Sequence, residues 1–318
     1  MSPCILAATG RTAARRPAPA AGSRCRSPMH KPVLDSQPHA ATPNAIEVRA
    51  LRTHDEFARC ADLQTDVWGP EFSERVPAAL LKVTQRIGGV AAGAFQGDHL
   101  VGFVFGMTGV EHGRLTHWSD MLAVREDMRD HGIGRRLKEY QRDTLRQRGI
   151  TRMYWTFDPL VSRNAHLNIN RLGAHVAEYV PNMYGADTSG TLHRGLGTDR
   201  FIVAWDLDRD PPRATHLPND ALAAPVLNPV GADGLPIVPD LTAHPRDPVV
   251  RIAVPESIDR VQAESISSAT RWRASTRCVI LWAVDAGYRV TGFVHDDADC
   301  SYYICTLTVP PSSGPTEL

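Results

Sequence analysis

The sequence predicts an α/β protein, and three observations carry that prediction. First, short apolar runs and helical patterns succeed one another over residues 45–208 in the order β-α-α-β-β-β-α-β-α-β-β. Second, an apolar strand ending at Val124 passes through a short charged turn into Arg129-x-x-Gly132-x-Gly134 at the mouth of a helix. Third, the pattern dissolves into a proline-rich stretch and then returns as a strand, a long helical stripe and a hairpin between 249 and 318.

Each element has its own local reason. Ile46, Val48 and Ala50 alternate with polar residues, as on an edge strand. Thr53-x-x-Glu56 is a capping box, and Phe57, Ala61 and Val67-Trp68 give the following helix its apolar stripe, ended at Gly69-Pro70. A short helix is expected from about Pro77 to Ile87. Val90 to Phe95 and Leu100 to Met107 flank Gln96-Gly97-Asp98 and read as a hairpin. Leu115 to Val124 is a strand, and Ile133 to about Gln147 a helix stopped at Gly149. Thr151 to Phe157 is a strand broken by Asp158-Pro159, and Ala165 to Leu172 is helical up to Gly173. Val176 to Val180 and Phe201 to Leu207 add two strands.

Prolines crowd the stretch 209–248, which predicts an extended segment that links or wraps. Beyond it, Val249 to Val254 forms a strand, and Pro255-Glu256 opens a helix. Ile258, Val261, Ala269, Trp272, Val279 and Ala283 keep helical spacings, so a single long amphipathic helix is expected up to Gly287. Tyr288 to Val294 and Tyr302 to Val309 complete a hairpin. Residues 1–44 are rich in Ala, Pro, Arg and Ser, with no acidic residue before Asp35, and predict a disordered tail rather than a transit peptide. Met29 is a second candidate start.

Lys+Arg and Asp+Glu each number 35 in the 318 residues, so the formal net charge is zero. A chain without a basic excess has little electrostatic reason to bind nucleic acid or an anionic membrane, and neither is expected as a partner. No apolar run approaches the roughly 20 residues needed to cross a bilayer. None of the six cysteines falls in a Cys-x-x-Cys pair, which favours buried free thiols, no metal site and a cytoplasmic compartment.

The strand–glycine–helix junction is where the chemistry concentrates. Gly132 and Gly134 let a ligand approach the backbone, and the unpaired N–H groups of a helix N-terminus favour an anion. Arg129 and Arg135 add full charges there, which suits a pyrophosphate. A nucleoside-triphosphate loop would need Gly-x-x-x-x-Gly-Lys-Ser/Thr, and none exists. A dinucleotide fingerprint would need a glycine where Asp130 stands.

The loop resembles the coenzyme A loop of the GNAT (Gcn5-related N-acetyltransferase) superfamily, Arg/Gln-x-x-Gly-x-Gly/Ala. A second stretch, Ser162-Arg163-Asn164-Ala165-His166-Leu167-Asn168-Ile169-Asn170-Arg171-Leu172-Gly173-Ala174, is similar to that family's helix Asn-x-x-Ala-x-x-Phe-Tyr-x-Lys-Leu-Gly-Phe. The resemblance covers about residues 45–208. It implies the GNAT acyl-CoA N-acyltransferase fold, a mixed central sheet flanked by helices, here with a C-terminal strand-helix-hairpin extension over 249–318. It also implies acetyl-CoA as cosubstrate and a small-molecule or peptide amine as acceptor, in a monomer or homodimer. Backbone groups of Leu122, Ala123 and Val124 would hold the pantetheine arm, and Arg129, Gly132, Ile133, Gly134, Arg135 and Asn164 the rest of the coenzyme.

The proton-transfer residues depart from the family pattern. Ile169 stands where many members have a Tyr, and Trp118 where several have a Glu. On a regular strand Trp118, Asp120, Leu122 and Val124 would share one face, leaving Asp120 as its ionisable group and the candidate general base, with His117 on the opposite, structural face. The glycine-rich stretch 184–200 reads as a lid or a surface loop, and its Tyr184, His193 and Arg200 are candidates to contact the acceptor, Tyr184 also as a proton donor. Asn164, Asn168 and Asn170 either line the slot or cap and decorate the helix. The reading is an N-acyltransferase using direct attack. The empty Tyr and Glu seats leave room for an inactive coenzyme-binding sensor or scaffold, and an apolar slot for a transferase of longer acyl groups.

Overall fold

The computed structural model describes residues 45–72, 74–185, 196–209, 221–237, 241, 247–295 and 300–308. The expected tail 1–44, residues 186–195 of the glycine-rich loop with His193, parts of the proline-rich stretch, and Cys4 and Cys25 lie outside the described residues.

Seven strands make the main sheet: β1 (Ile46–Ala50), β2 (Val90–Gln96), β3 (His99–Glu111), β4 (Arg114–Val124), β5 (Arg152–Phe157), β6 (His175–Val180) and β7 (Arg200–Asp206). Their order is β1-β2-β3-β4-β5-β7-β6, antiparallel throughout except where β4 meets β5. Helices α1 (His54–Trp68) and α2 (Ala78–Arg86) lie on one face, and α3 (Ile133–Gln147) on the other. A short α4 (Ser162–Ala165) follows β5 and continues as a π-helical turn over His166–Arg171, wider than the regular helix expected there. The capping box at Thr53 is formed as the sequence requires, with Thr53 and Glu56 bonding each other's backbone.

The C-terminal strands β8 (Val249–Pro255), β9 (Tyr288–His295) and β10 (Cys300–Leu307) form a second antiparallel sheet in the order β8-β10-β9. The long helix expected between them is two helices, α5 (Ile258–Glu264) and α6 (Ile266–Asp285). Ser265 breaks it. Its backbone is extended (φ −159, ψ 113) and its hydroxyl caps the Ser268 N–H at 3.2 Å, so the serine begins a helix instead of continuing one. The apolar stripe survives the break, with Ile258, Ala269, Trp272, Val279 and Ala283 all buried. Trp272, Phe293 and Tyr303 join one apolar cluster with Phe157 and Phe201 of the main sheet; Phe201 and Tyr303 meet edge to face at 5.3 Å.

Within the proline-rich stretch, residues 221–237 wrap rather than hang free. Leu227 donates to Arg251 O and Arg251 to Pro225 O, both at 2.8 Å, along the outer edge of β8. Asn228 is fully buried, and its amide exchanges two bonds with the backbone of Ala253, at 2.8 and 3.0 Å, as a neighbouring strand would. A proline-rich segment lacks the donors for a full ladder, and the asparagine side chain makes up part of the deficit.

One irregularity governs the site. Phe105 pairs with Met121 and Gly106 with Ser119, so Asp120 is the extra residue of a β-bulge in β4. Gly106 makes the bulge possible, because a Cβ there would lie 2.3 Å from His117 Nε2 and 2.6 Å from the Trp118 carbonyl oxygen. Gly106→Ala is therefore expected to destabilise the fold by about 1–3 kcal/mol, the usual range for forced overpacking. A urea melt that shows no loss would mean the bulge can shift to make room.

Candidate active site

Strands β4 and β5 pair only at His117↔Met153 and Trp118↔Tyr154. Beyond those pairs they diverge, leaving the ends of both strands without a ladder partner on the inner side and a wedge-shaped slot between them. The slot points at the loop between β4 and α3.

That loop is built to leave donors bare. Gly132 holds the N-cap of α3 at φ 70, a left-handed conformation that favours glycine, and no side chain caps the first turn. A Cβ on Gly134 would meet only Leu122 Cδ2, at 3.5 Å, so the backbone there is open to a ligand. Ile133 is buried beneath the turn. Arg129 is exposed and makes a 4.0 Å ion pair with Glu126, and Arg135 bonds Glu139 at 2.8 Å on the helix surface. An open depression of about 440 Å3 beside the loop is lined by Arg125 and Arg129 but also by Asp66, Glu126 and Asp127. Three carboxylates make it a poor seat for a phosphate, and the bare N–H groups of α3 a better one.

The bulge corrects the expected strand face. Leu122 and Val124 pack with Ile133 and Leu137 on the α3 side, whereas Ala123 and Met121 pack toward α1 and α2. His117 and Ser119 also face α3. Alternation would have put Asp120 with Leu122 and Val124. The extra residue reverses the parity, and Asp120 lies on the opposite face with Trp118. Tyr154 and Thr156 of β5 share that face, since Met153, Trp155 and Phe157 are the strand's buried residues on the other.

Asp120 is exposed on that face of the sheet. Desolvation raises its carboxyl pKa above the ordinary value, and the charge of Glu74, just before α2, raises it further. Tyr184 reaches the same face, its hydroxyl 3.1 Å from Thr156 Oγ1, and the guanidinium of Arg200 lies 5.4 Å from its ring centre.

Of the three asparagines, Asn164 stands on α4 without a hydrogen-bonded side-chain partner among the described residues. Asn168 is buried and accepts from Trp155 Nε1 at 3.0 Å, and Asn170 donates to Phe293 O at 2.8 Å. The last two are therefore structural. Ile169, at the seat of the missing tyrosine, is buried.

Sequence reasoning missed the polar chain beneath the bulge. Lys138 Nζ donates to Ser119 Oγ (2.7 Å), Ser119 to Gln141 Oε1 (2.8 Å), and Gln141 Nε2 to His117 Nε2 (2.9 Å). His117 Nδ1 then gives its proton to Thr108 Oγ1 (3.0 Å), which donates to Gly88 O (2.8 Å). The Lys138 ammonium also sits 3.9 Å from the Trp155 ring centre, and burial holds its pKa well below the ordinary lysine value. The trace in the sequence is Gln141, a polar residue between Leu137 and Leu145 on the buried stripe of α3.

These features define a class of fold: an α/β sheet with an uncapped helix N-terminus in front of a slot between two diverging strands. Residues 54–172 match the family model described as acetyltransferase (GNAT) family. The match is confined to that part of the chain. No curated relative matches it. Solved structures similar to it include the ribosomal-protein-S18-alanine N-acetyltransferase from Escherichia coli (18% identity, 53% of this chain and 98% of that chain, TM-score 0.40). Others are an aminoglycoside 6'-acetyltransferase type Ii (18%, 52% and 99%, TM-score 0.40) and the NatC complex bound to Gag peptide and CoA (16%, 51% and 98%, TM-score 0.40). No helix among the described residues is long and apolar enough to cross a membrane.

The polar chain gives stability a pH dependence. Burial, with the positive charges of Lys138 and Arg148, holds His117 down to about 3, against an ordinary value of 6.5. Between those values the unfolded chain takes up a proton that the folded one refuses, so stability should rise with pH across that window. His117→Gln should flatten the slope. Melting temperatures measured from pH 4 to 7 that run parallel in parent and variant would rule out this source.

Proposed function

We propose that the protein is an acyl-CoA-dependent N-acyltransferase that takes acetyl from acetyl-CoA to an amine. The observation that carries this reading is the divergence of β4 from β5 in front of the uncapped N-terminus of α3. The residues present fit the cosubstrate. Bare N–H groups over Ile133–Arg135, the open backbone at Gly134 and the Arg129 charge suit a pyrophosphate. The slot lined by Leu122 and Val124 suits an apolar arm whose amides need backbone partners. Asn164 of α4 is the polar residue we assign to the same arm.

A bound acyl thioester supplies an activated carbonyl that an amine can attack directly. The protein's part is to hold the acceptor at the slot, exclude water and move protons. The bulge separates the work between two faces of the sheet. On the α3 face lie the residues that hold the arm. On the other face Asp120, with Glu74 nearby, draws a protonated amine electrostatically and takes its proton, directly or through a water. A raised carboxyl pKa brings the base closer to the pKa of its task. Trp118, Tyr154 and Tyr184 give the acceptor apolar walls, and the Tyr184 hydroxyl is the nearest candidate to return a proton. Small amines and peptide amines both match that chemistry.

Calorimetry with coenzyme A and thiol release from acetyl-CoA over a panel of amines test this reading. Binding without turnover would favour the sensor or scaffold, and turnover only with longer acyl thioesters the other transferase. Gly134→Val should block approach to the loop without straining the fold, since the space at its Cβ is otherwise open. That variant, or Arg129→Ala, should weaken coenzyme binding at least tenfold, about 1.4 kcal/mol. Unchanged affinity in the folded variants would overturn the anion seat.

Asp120→Asn keeps size and hydrogen bonding while removing the base. Coenzyme affinity should survive, and turnover should fall by about 10² to 10⁴, less at high pH where more of the amine is already deprotonated. Turnover within about threefold of the parent at neutral pH would exclude Asp120 as the base.

A further inference from the structure

The C-terminal sheet and helices exceed what the seven-stranded sheet needs for closure, yet they grip the sheet at the two loops that flank the acceptor face. Ser162 Oγ bonds Pro255 O at 2.6 Å, and Tyr303 OH bonds Pro159 O at 2.7 Å, both at the loop leaving β5. The closest grip comes from α6. Arg273, nearly buried, donates to Leu196 O at 3.0 Å and pairs with Asp158. One turn further along, Arg277 holds Asp199 with two nitrogens and also donates to Asn182 Oδ1 at 2.9 Å.

Asp199 is fully buried and accepts from four groups: Arg277 Nε and Nη2, Tyr179 OH and the Asn182 N–H. Burial alone would raise its pKa; the bonds from Arg277 and Tyr179 outweigh that and hold it below the ordinary value. The recipient of this grip is a turn residue in an unusual conformation. Asn182 has φ +48, a left-handed conformation that few residues other than glycine and asparagine adopt. Its N–H is fixed by Asp199 and its side chain by Arg277. Directly after it, Met183 N bonds Thr198 O (3.1 Å) and Tyr184 N bonds Thr198 Oγ1 (3.0 Å), and Tyr184 OH then reaches Thr156 on the acceptor face.

We propose that the C-terminal extension is a positioning element for the acceptor site, in which Arg277 of α6, acting through Asp199 and Asn182, sets Tyr184 over the acceptor face of β5. Arg277 touches neither reactant. It is a positioning residue, and the inference rests on the acyltransferase reading for the meaning of that face but not for the geometry itself. A segment held by a bidentate arginine and a buried carboxylate loses little further entropy when an acceptor binds, so the grip should appear in acceptor affinity more than in coenzyme affinity.

The test uses the full-length protein. Arg277→Met removes every bond of the guanidinium, and Arg277→Lys, which keeps the charge and one donor, serves if the methionine variant does not fold. Amide hydrogen exchange should rise at least tenfold at Met183 and Tyr184 in either variant, with the Ile133–Arg136 turn unchanged and coenzyme A affinity within about twofold. With an acceptor from the panel, KM for the amine should rise at least fivefold in the methionine variant and recover partly in the lysine one. Adding Tyr184→Ala to Arg277→Met should cost no more than Tyr184→Ala alone, because the arginine acts through the tyrosine. Unchanged exchange at 183–184, or fully additive losses, would overturn the proposal. Loss of coenzyme binding in the parent would instead overturn the acyltransferase reading and leave the exchange result standing.

Discussion

A single extra residue in β4 sets the geometry on which the rest of the site depends. Without the bulge at Asp120, strand alternation would place that carboxylate among Leu122 and Val124, in an apolar wall against α3. With it, the residues before and after the bulge face α3, and Asp120 is turned to the other side of the sheet beside Trp118. The slot between β4 and β5 opens at the same place, directly after Trp118 and Tyr154. A bulge bends its strand and increases the local twist, so the divergence and the reversal of face have one physical origin.

Such a bulge needs support, because an unpaired residue in a central strand leaves backbone and side-chain groups to be satisfied. Gly106 lets the facing strand approach, and the polar chain from Lys138 through Ser119, Gln141 and His117 to Thr108 fills the space below with directed bonds. Each polar side-chain atom in the chain has at least one hydrogen-bond partner, which is the condition for a buried polar network to add specificity rather than subtract stability. The lysine and histidine within it are pushed toward their neutral forms by burial. They read as supports of the bulge rather than as reactants.

The second sheet bears on the same site from the far edge. Its aromatic residues share a core with β5 and β7, and its helix α6 sends two arginines to two buried or half-buried aspartates at the ends of those strands. Charges at this depth are tolerated because each is paired and hydrogen-bonded several times, and the loss of one partner would strand the other. The apolar contact supplies the attachment, and the ionic contacts supply its register.

Much of this architecture was legible in the sequence. The capping box at Thr53, the hairpin across Gln96-Gly97-Asp98, the glycine junction at 132–134 and the apolar runs of β2 to β5 are local signals, set by the conformational preferences and hydrophobicity of adjacent residues. The uncapped start of α3 was likewise readable, since two glycines at a helix mouth supply no side-chain cap. The break at Ser265 was not, because a capping serine inside a continuous apolar stripe leaves the period intact. Nor was the face of Asp120. Whether a strand carries an extra residue is decided by its register against the neighbouring strand, and Ser119-Asp120-Met121 looks the same in sequence with or without it. The meeting of Arg277 with Asp199, or Gln141 with His117, joins residues far apart in the chain, and nothing local fixes such a pair. The sequence by itself therefore determined the elements, their order and the glycine junction that opens α3. Only the tertiary structure decided which side of the sheet each candidate side chain serves and what holds it there, because those are properties of register and packing between distant segments.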